Sequence, residues 1–218
     1  MNLSAGFWNL VSNSVYGALA LDALWGAYCI AVVFLRVAQQ RFRSEQEQEH
    51  YLGGVEEALA RRDFDRVIAQ GEQERRALPR LTALACLERH LPISQLTDLL
   101  VERFERDVIG DLEHRVSWTN NVIKTAPMLG LLGTVLGMMA AFSKLAASES
   151  VQPDQLASDI SFALITTAIG LAIAIPATVC VASLNIRIRQ LEQQVEGGLV
   201  RLLAILEAVV GSRGSRSG

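Results

Sequence analysis

The stretch that limits most what this chain can fold into runs from Ala126 to Phe142, Ala-Pro-Met-Leu-Gly-Leu-Leu-Gly-Thr-Val-Leu-Gly-Met-Met-Ala-Ala-Phe. It is almost wholly apolar, yet it carries a proline, three glycines and a threonine. Gly130, Gly133, Thr134 and Gly137 fall at i, i+3, i+4 and i+7, so they share one face of a helix. In water such a stripe is a loss, because each glycine costs roughly 1 kcal/mol against alanine. In lipid it lets a second helix approach closely. Two readings stay open on these residues alone. The stripe is a packing face, or it is a packing face that also places one hydroxyl, Thr134, at membrane depth.

The rest of the chain supports a membrane setting. Half of the 218 residues are apolar and a fifth are charged, and the two classes are segregated along the sequence. A first apolar segment runs from Val15 to Leu35, and its twenty-one residues would span about 31 Å as a helix, enough to cross the hydrocarbon. Asp22 interrupts it near its start. Residues 44–120 are charged and read as short amphipathic helices punctuated by Pro79 and Pro92. Ser94 is a plausible N-cap for a long helix that enters the membrane at about Val122, with a bend at Gly110 or Pro127. The third apolar segment, Ile160 to Leu184, ends before Arg187 and Arg189. An amphipathic continuation follows, weakened at Gly197-Gly198.

The expected fold class is an all-α integral membrane protein with three transmembrane helices and long cytoplasmic helical extensions. In order, residues 1–14 form an extracytoplasmic N-terminus with Phe7 and Trp8 suited to the interface, and 15–37 the first span. Residues 38–121 make a cytoplasmic helical region, 122–147 the second span, and 148–158 an extracytoplasmic loop. Residues 159–184 are the third span, and 185–218 a cytoplasmic helix with a disordered tail. The orientation comes from the basic residues. Fourteen of twenty lie between Arg36 and Lys124 and five after Asn185, while residues 1–35 have none. The positive-inside rule therefore puts the N-terminus outside and the C-terminus in the cytoplasm.

The net charge of −3 and the lack of a basic patch argue against nucleic acid as a partner. Cys29, Cys86 and Cys180 are far apart and read as small buried hydrophobes. His50, His90 and His114 show neither metal spacing nor a nucleophile partner. No enzyme, metal or cofactor is expected. What remains is two membrane helices with matching faces. In the third segment Ala163, Thr167, Gly170 and Ala174 lie at i, i+4, i+7 and i+11, with Thr166 adjoining. Threonine offers a donor and acceptors but does not titrate near neutral pH. A titrating group for an ion path would therefore come from a partner, around which several copies of this chain could stand. Alternatively, Thr134 and Thr167 bond their own i−4 carbonyls and only pack.

Ala126–Val135 resembles the second-segment signature of the MotA/TolQ/ExbB proton-channel family, and Thr167–Ala177 resembles its third-segment signature. The three-segment layout is closer to ExbB and TolQ than to the four-segment MotA. The resemblance covers roughly residues 15–205 and implies much of the expected function. It implies a subunit of an ion-motive-force-driven motor in the bacterial inner membrane. A pentamer would surround two ExbD/TolR-like single-span helices bearing a membrane aspartate, and a TonB/TolA-like protein would receive the work. Thr134 and Thr167 match the family's wall threonines. Thr166 is an additional ion-pathway candidate. Gly130, Gly133, Gly137, Ala163, Gly170, Ala174, Pro127 and Pro176 make the packing or pore wall. Phe162 stands where ExbB has a glutamate, so Asp159 and Asp22 are the remaining acidic relay candidates. The alternatives are a sodium-driven member of the family or a non-conducting membrane scaffold.

Overall fold

A computed structural model describes residues 3–147 and 153–211. Every element among the described residues is helical. They are α1 (Leu3–Gln40), α2 (Glu45–Ala60), α3 (Phe64–Gln73), α4 (Ala77–Leu87), α5 (Ile93–Phe104), a π-helical turn (Glu105–Ile109), α6 (Gly110–Ala147) and α7 (Pro153–Gly211). Among the described residues, three runs are long and apolar enough to cross a membrane: Asn13–Gln40, Ile93–Ala146 and Leu156–Val209. The side chains of Phe7 and Trp8, the loop residues 148–152 and the tail 212–218 lie outside the described residues.

Several boundaries differ from the sequence expectation. α1 extends from Leu3, twelve residues before the apolar segment that starts at Val15. α7 begins at Pro153, inside the expected 148–158 loop, because a proline is tolerated in the first helical turn, where its missing N–H has no partner to lose. The same reasoning places Pro79 inside α4, three residues after the N-cap Arg76, where a break was expected. Ser94 is not a cap, since α5 starts at Ile93 after Pro92.

The backbone divides into two compact units, one of residues up to 32 with 115–183, the other of 33–114 with residues from 184 onward. In the first unit, small residues are inside and large ones outside. Ala126, Ala140, Ala163 and Ala177 are buried, while Leu24, Met128, Leu131, Leu164 and Ile175 are exposed. That inversion is stable where the surroundings are as apolar as leucine itself. α1 meets α6 through Gly26, where an added Cβ would stand 2.7 Å from Val122 Cγ1. Trp25 and Trp118 pack edge to face along the same contact, 6.3 Å between centroids.

The second unit has the opposite pattern, the one water imposes. Leu52, Leu59, Leu78, Leu96, Leu100, Leu191 and Leu202 are almost fully buried. Gly198 lies close against this core, since a Cβ would stand 2.5 Å from Leu78 Cδ2 and 2.8 Å from Gln48 Nε2. The turn between α1 and α2 is pinned to α7, with Phe42 N donating to Gln194 Oε1 (3.3 Å) and Gln48 Nε2 donating to Gln194 O (2.9 Å). Ser44 caps α2 by accepting from Glu47 N. The Glu47 carboxylate accepts from Arg43 N (2.9 Å) and pairs with Arg76 (2.8 Å), whose guanidinium also lies over the Phe42 ring. Burial pushes the Tyr51 hydroxyl up to about 12 and the Cys86 thiol up to about 11, so neither ionises near neutral pH. Cys29 is also buried, but Cys180 is exposed on α7, against the expectation for all three cysteines.

The π-helical turn has a cause in the sequence. Buried Leu96, Leu100, Phe104, Val108 and Leu112 recur every fourth residue. At about 100° per residue that row drifts by roughly 40° per step, which would carry Leu112 to nearly the opposite side from Leu96. A wider turn at Glu105–Ile109 absorbs part of this drift, and Gly110 N then donates to Glu105 O. The irregularity thus sits just before Gly110, while Pro127 lies within α6 without ending it.

Candidate functional site

The two small-residue stripes face each other in the first unit. A Cβ on Gly130 would stand 2.9 Å from Thr166 O and 3.0 Å from Thr167 Cα. On Gly133 it would overlap the Thr166 side chain, with Cβ at 2.6 Å. On Gly137 it would meet Ala163 Cβ at 2.8 Å, and on Gly170 it would meet Ala126 O at 2.6 Å. Most of these neighbours are backbone or Cβ atoms, which no rotamer change can move. The four glycines therefore permit a helix contact that even alanine would prevent. Ala163 and Ala174 are buried in the same seam, at 1% and 6% exposure.

Two hydroxyls meet in the seam. Thr134 Oγ1 and Thr167 Oγ1 are in direct, short hydrogen-bond contact. Thr167 Oγ1 also donates to Gly130 O across the helix pair (3.1 Å). Thr134 Oγ1 has Ala163 O on α7 at 3.1 Å and its own i−4 carbonyl, Gly130 O, at 3.3 Å. The local back-bonding weighed from sequence is thus present only for Thr134, as the longer of two contacts. Both side chains are half-buried. With the protons directed at carbonyls or at the other hydroxyl, the pair mainly offers lone pairs.

Thr166 is placed differently. It is fully buried, its Oγ1 donates to Ala163 O (2.9 Å), and Gly133 seats its side chain. Asp22 is not brought to the seam. Its carboxylate accepts from Thr125 Oγ1 at 2.9 and 3.1 Å. Thr125 lies nine residues before Thr134, half a turn round α6, so this pair belongs to the α1 side of that helix. Asp159 does lie on the seam face of α7, but both its oxygens are held by Lys144. Phe162 packs edge-on against Tyr16, 5.3 Å between centroids. Pro127 is half-buried and Pro176 exposed. Sequence reasoning missed Lys144, Thr125 and Ala126. The first could have been found, because it lies seven residues after Gly137 on the same face.

TolQ of the Tol-Pal system from Haemophilus influenzae is 41% identical over 85 residues, 39% of this chain and 37% of that protein. The biopolymer transport protein ExbB of Xanthomonas campestris is 53% identical over 53 residues, 24% of this chain and 21% of that protein. ExbB of Helicobacter pylori is 38% identical over 74 residues, 34% of this chain and 51% of that protein. The matches therefore span between about a fifth and half of these relatives. The description of the MotA/TolQ/ExbB proton channel family matches residues 60–197, which include the whole α6–α7 seam. This membrane protein belongs to the MotA/TolQ/ExbB proton channel family.

Proposed function

We propose that this chain is an ExbB/TolQ-like, ring-forming subunit of an ion-driven motor in the bacterial inner membrane. Its seam forms the wall along which a partner's membrane aspartate is protonated and released. The observation that carries this reading is the Thr134–Thr167 hydroxyl pair, held by cross-helix hydrogen bonds on side chains that are only half-buried. Hydroxyls do not titrate near neutral pH, so a carboxyl must be supplied from outside the chain. A wall of lone pairs favours the protonated, donating form of that carboxyl over the charged one. The partner is an ExbD/TolR-like single-span protein, as the relatives' roles in Tol-Pal and biopolymer transport suggest. Two copies of the partner stand within a pentamer of this chain, and a TonB/TolA-like protein takes up the work. The N-terminus lies outside, and the second unit lies in the cytoplasm. The distribution of basic residues supports that side assignment. The conducted ion is the proton, and Thr166 supports the wall by packing.

The test is ion flux in liposomes containing this chain with its partner, comparing wild type with Thr167→Val, which keeps the shape and removes the hydroxyl. A proton flux that falls on the order of tenfold or more supports the reading, since a hydrogen bond to a charged or ionising group contributes about 1.5–3 kcal/mol. Unchanged flux would leave Thr167 as a packing residue. An assembled complex without flux would favour a scaffold.

A further inference from the structure

The seam is closed by an ion pair at the end that leads into the α6–α7 connection. Asp159 lies four residues before Ala163 and eight before Thr167 on α7, and Lys144 lies seven after Gly137 on α6, so both continue the seam faces. Lys144 Nζ donates to Asp159 Oδ1 at 2.9 Å and to Oδ2 at 2.7 Å. The Asp159 side chain is only 17% exposed, that of Lys144 40%. The carboxylate's own turn is wedged into the seam, since a Cβ on Gly137 would stand 3.0 Å from Asp159 O. From Asp159 to Thr167 the helix rises about 12 Å. Asp154, on the preceding turn, lies about 140° round the helix from Asp159. Tyr16, packed on Phe162, is the titratable side chain that α1 brings to this level.

We propose that the Lys144–Asp159 pair is the ion-selecting element at this mouth of the seam, admitting protons and turning away sodium. The inference rests on the ion-conducting reading above and names the residues that choose the ion. A sodium ion passing along the wall that the seam forms must exchange its hydration shell for protein oxygens. Both oxygens of the carboxylate best placed to replace it are already taken by an ammonium. That ammonium puts a positive charge within about 4 Å of where the metal would bind, beside a carboxylate that is only 17% exposed. A proton needs one lone pair on one oxygen and leaves the other bonded to Lys144. Without Lys144, Asp159 is an open carboxylate on the seam, available to a metal cation.

The experiment measures sodium and proton flux separately in liposomes carrying the chain and its partner, as wild type, K144Q, D159N and K144Q/D159N. The expected result for K144Q is a rise on the order of tenfold in the sodium-to-proton permeability ratio. That gain should vanish in the double variant, which offers no carboxylate. An unchanged ratio in an assembled K144Q complex overturns the inference while leaving the proposed function intact. A wild-type complex that carries neither ion overturns both. A second measurement needs neither partner nor flux. Replacing choline chloride with sodium chloride should raise the melting temperature of detergent-solubilised K144Q and leave that of the wild type unchanged. Equal responses would overturn the assignment of Lys144.

Discussion

Alanine at position 170 is the sharpest perturbation of the seam, because its neighbours are backbone. The new Cβ would stand 2.6 Å from Ala126 O, 3.2 Å from Ala126 C and 3.3 Å from Gly130 Cα. Restoring ordinary contact requires α6 and α7 to part locally by roughly 0.8 Å. That displacement would stretch the 3.1 Å bond from Thr167 Oγ1 to Gly130 O beyond hydrogen-bonding range. Overpacking costs about 1–3 kcal/mol and the lost hydrogen bond about 1 kcal/mol. The better helix propensity of alanine returns about 1 kcal/mol, so the net destabilisation is about 1–3 kcal/mol. Gly197→Ala is the matched control, since no atom lies within 4 Å of the added Cβ and the propensity gain is unopposed. Unfolding both variants by titrating a denaturing detergent into a mild one should give opposite signs, with Gly170→Ala below wild type and Gly197→Ala slightly above it. If Gly170→Ala is as stable as wild type, the close contact is not what the glycine serves. The hydroxyl pair would then be independent of helix separation.

Two further predictions concern the second unit. Arg62 adopts φ 60° just past the end of α2, where Asp63 N donates to Ala58 O and Arg62 N to Leu59 O, a geometry glycine adopts without steric cost. Arg62→Gly should therefore raise stability by about 0.5–1 kcal/mol in the same titration, and a loss would refute the assignment of strain. The Glu47 carboxyl is held below its ordinary 4.5, chiefly by the Arg43 backbone N–H and also by Arg76. Its folded-state value is lowered, so its contribution is present above pH 4.5 and is lost as pH falls through the folded value. Comparing melting temperatures at about pH 6 and pH 3, Glu47→Gln should show a smaller acid-induced drop than wild type. An equal drop would show that other carboxylates account for it.

The seam was legible because it is periodic. Gly130, Gly133, Thr134 and Gly137 on one helix and Ala163, Thr167, Gly170 and Ala174 on another announce two complementary faces whatever their partner. The structure joins those faces and separates residues that looked equivalent in the sequence. Thr166 and Thr167 are adjacent, but a 100° step puts one under Gly133 and leaves the other half-buried beside Thr134. Asp22 and Asp159 both looked like spare acids in an apolar run. One belongs to the α1 side of α6 through Thr125, and the other closes the seam with Lys144. Thr125 is far from Asp22 in sequence, so no local pattern could have named it, whereas Lys144 was marked by its place on the glycine face seven residues after Gly137.

By itself the sequence determined the solvent each segment requires, and with it the all-helical membrane fold. Hydropathy and periodicity are properties of single segments; lipid allows only helices or a closed barrel, and apolar runs of this length and period are helical. The pairing of faces, the inward turn of Thr166, the π-helical turn and the Lys144–Asp159 closure came only with tertiary structure. Each depends on the rotation and register of one helix against another. Those are set by contacts among Gly130, Thr166, Gly170 and Ala126 at 3 Å scale, which a one-dimensional pattern permits but does not specify.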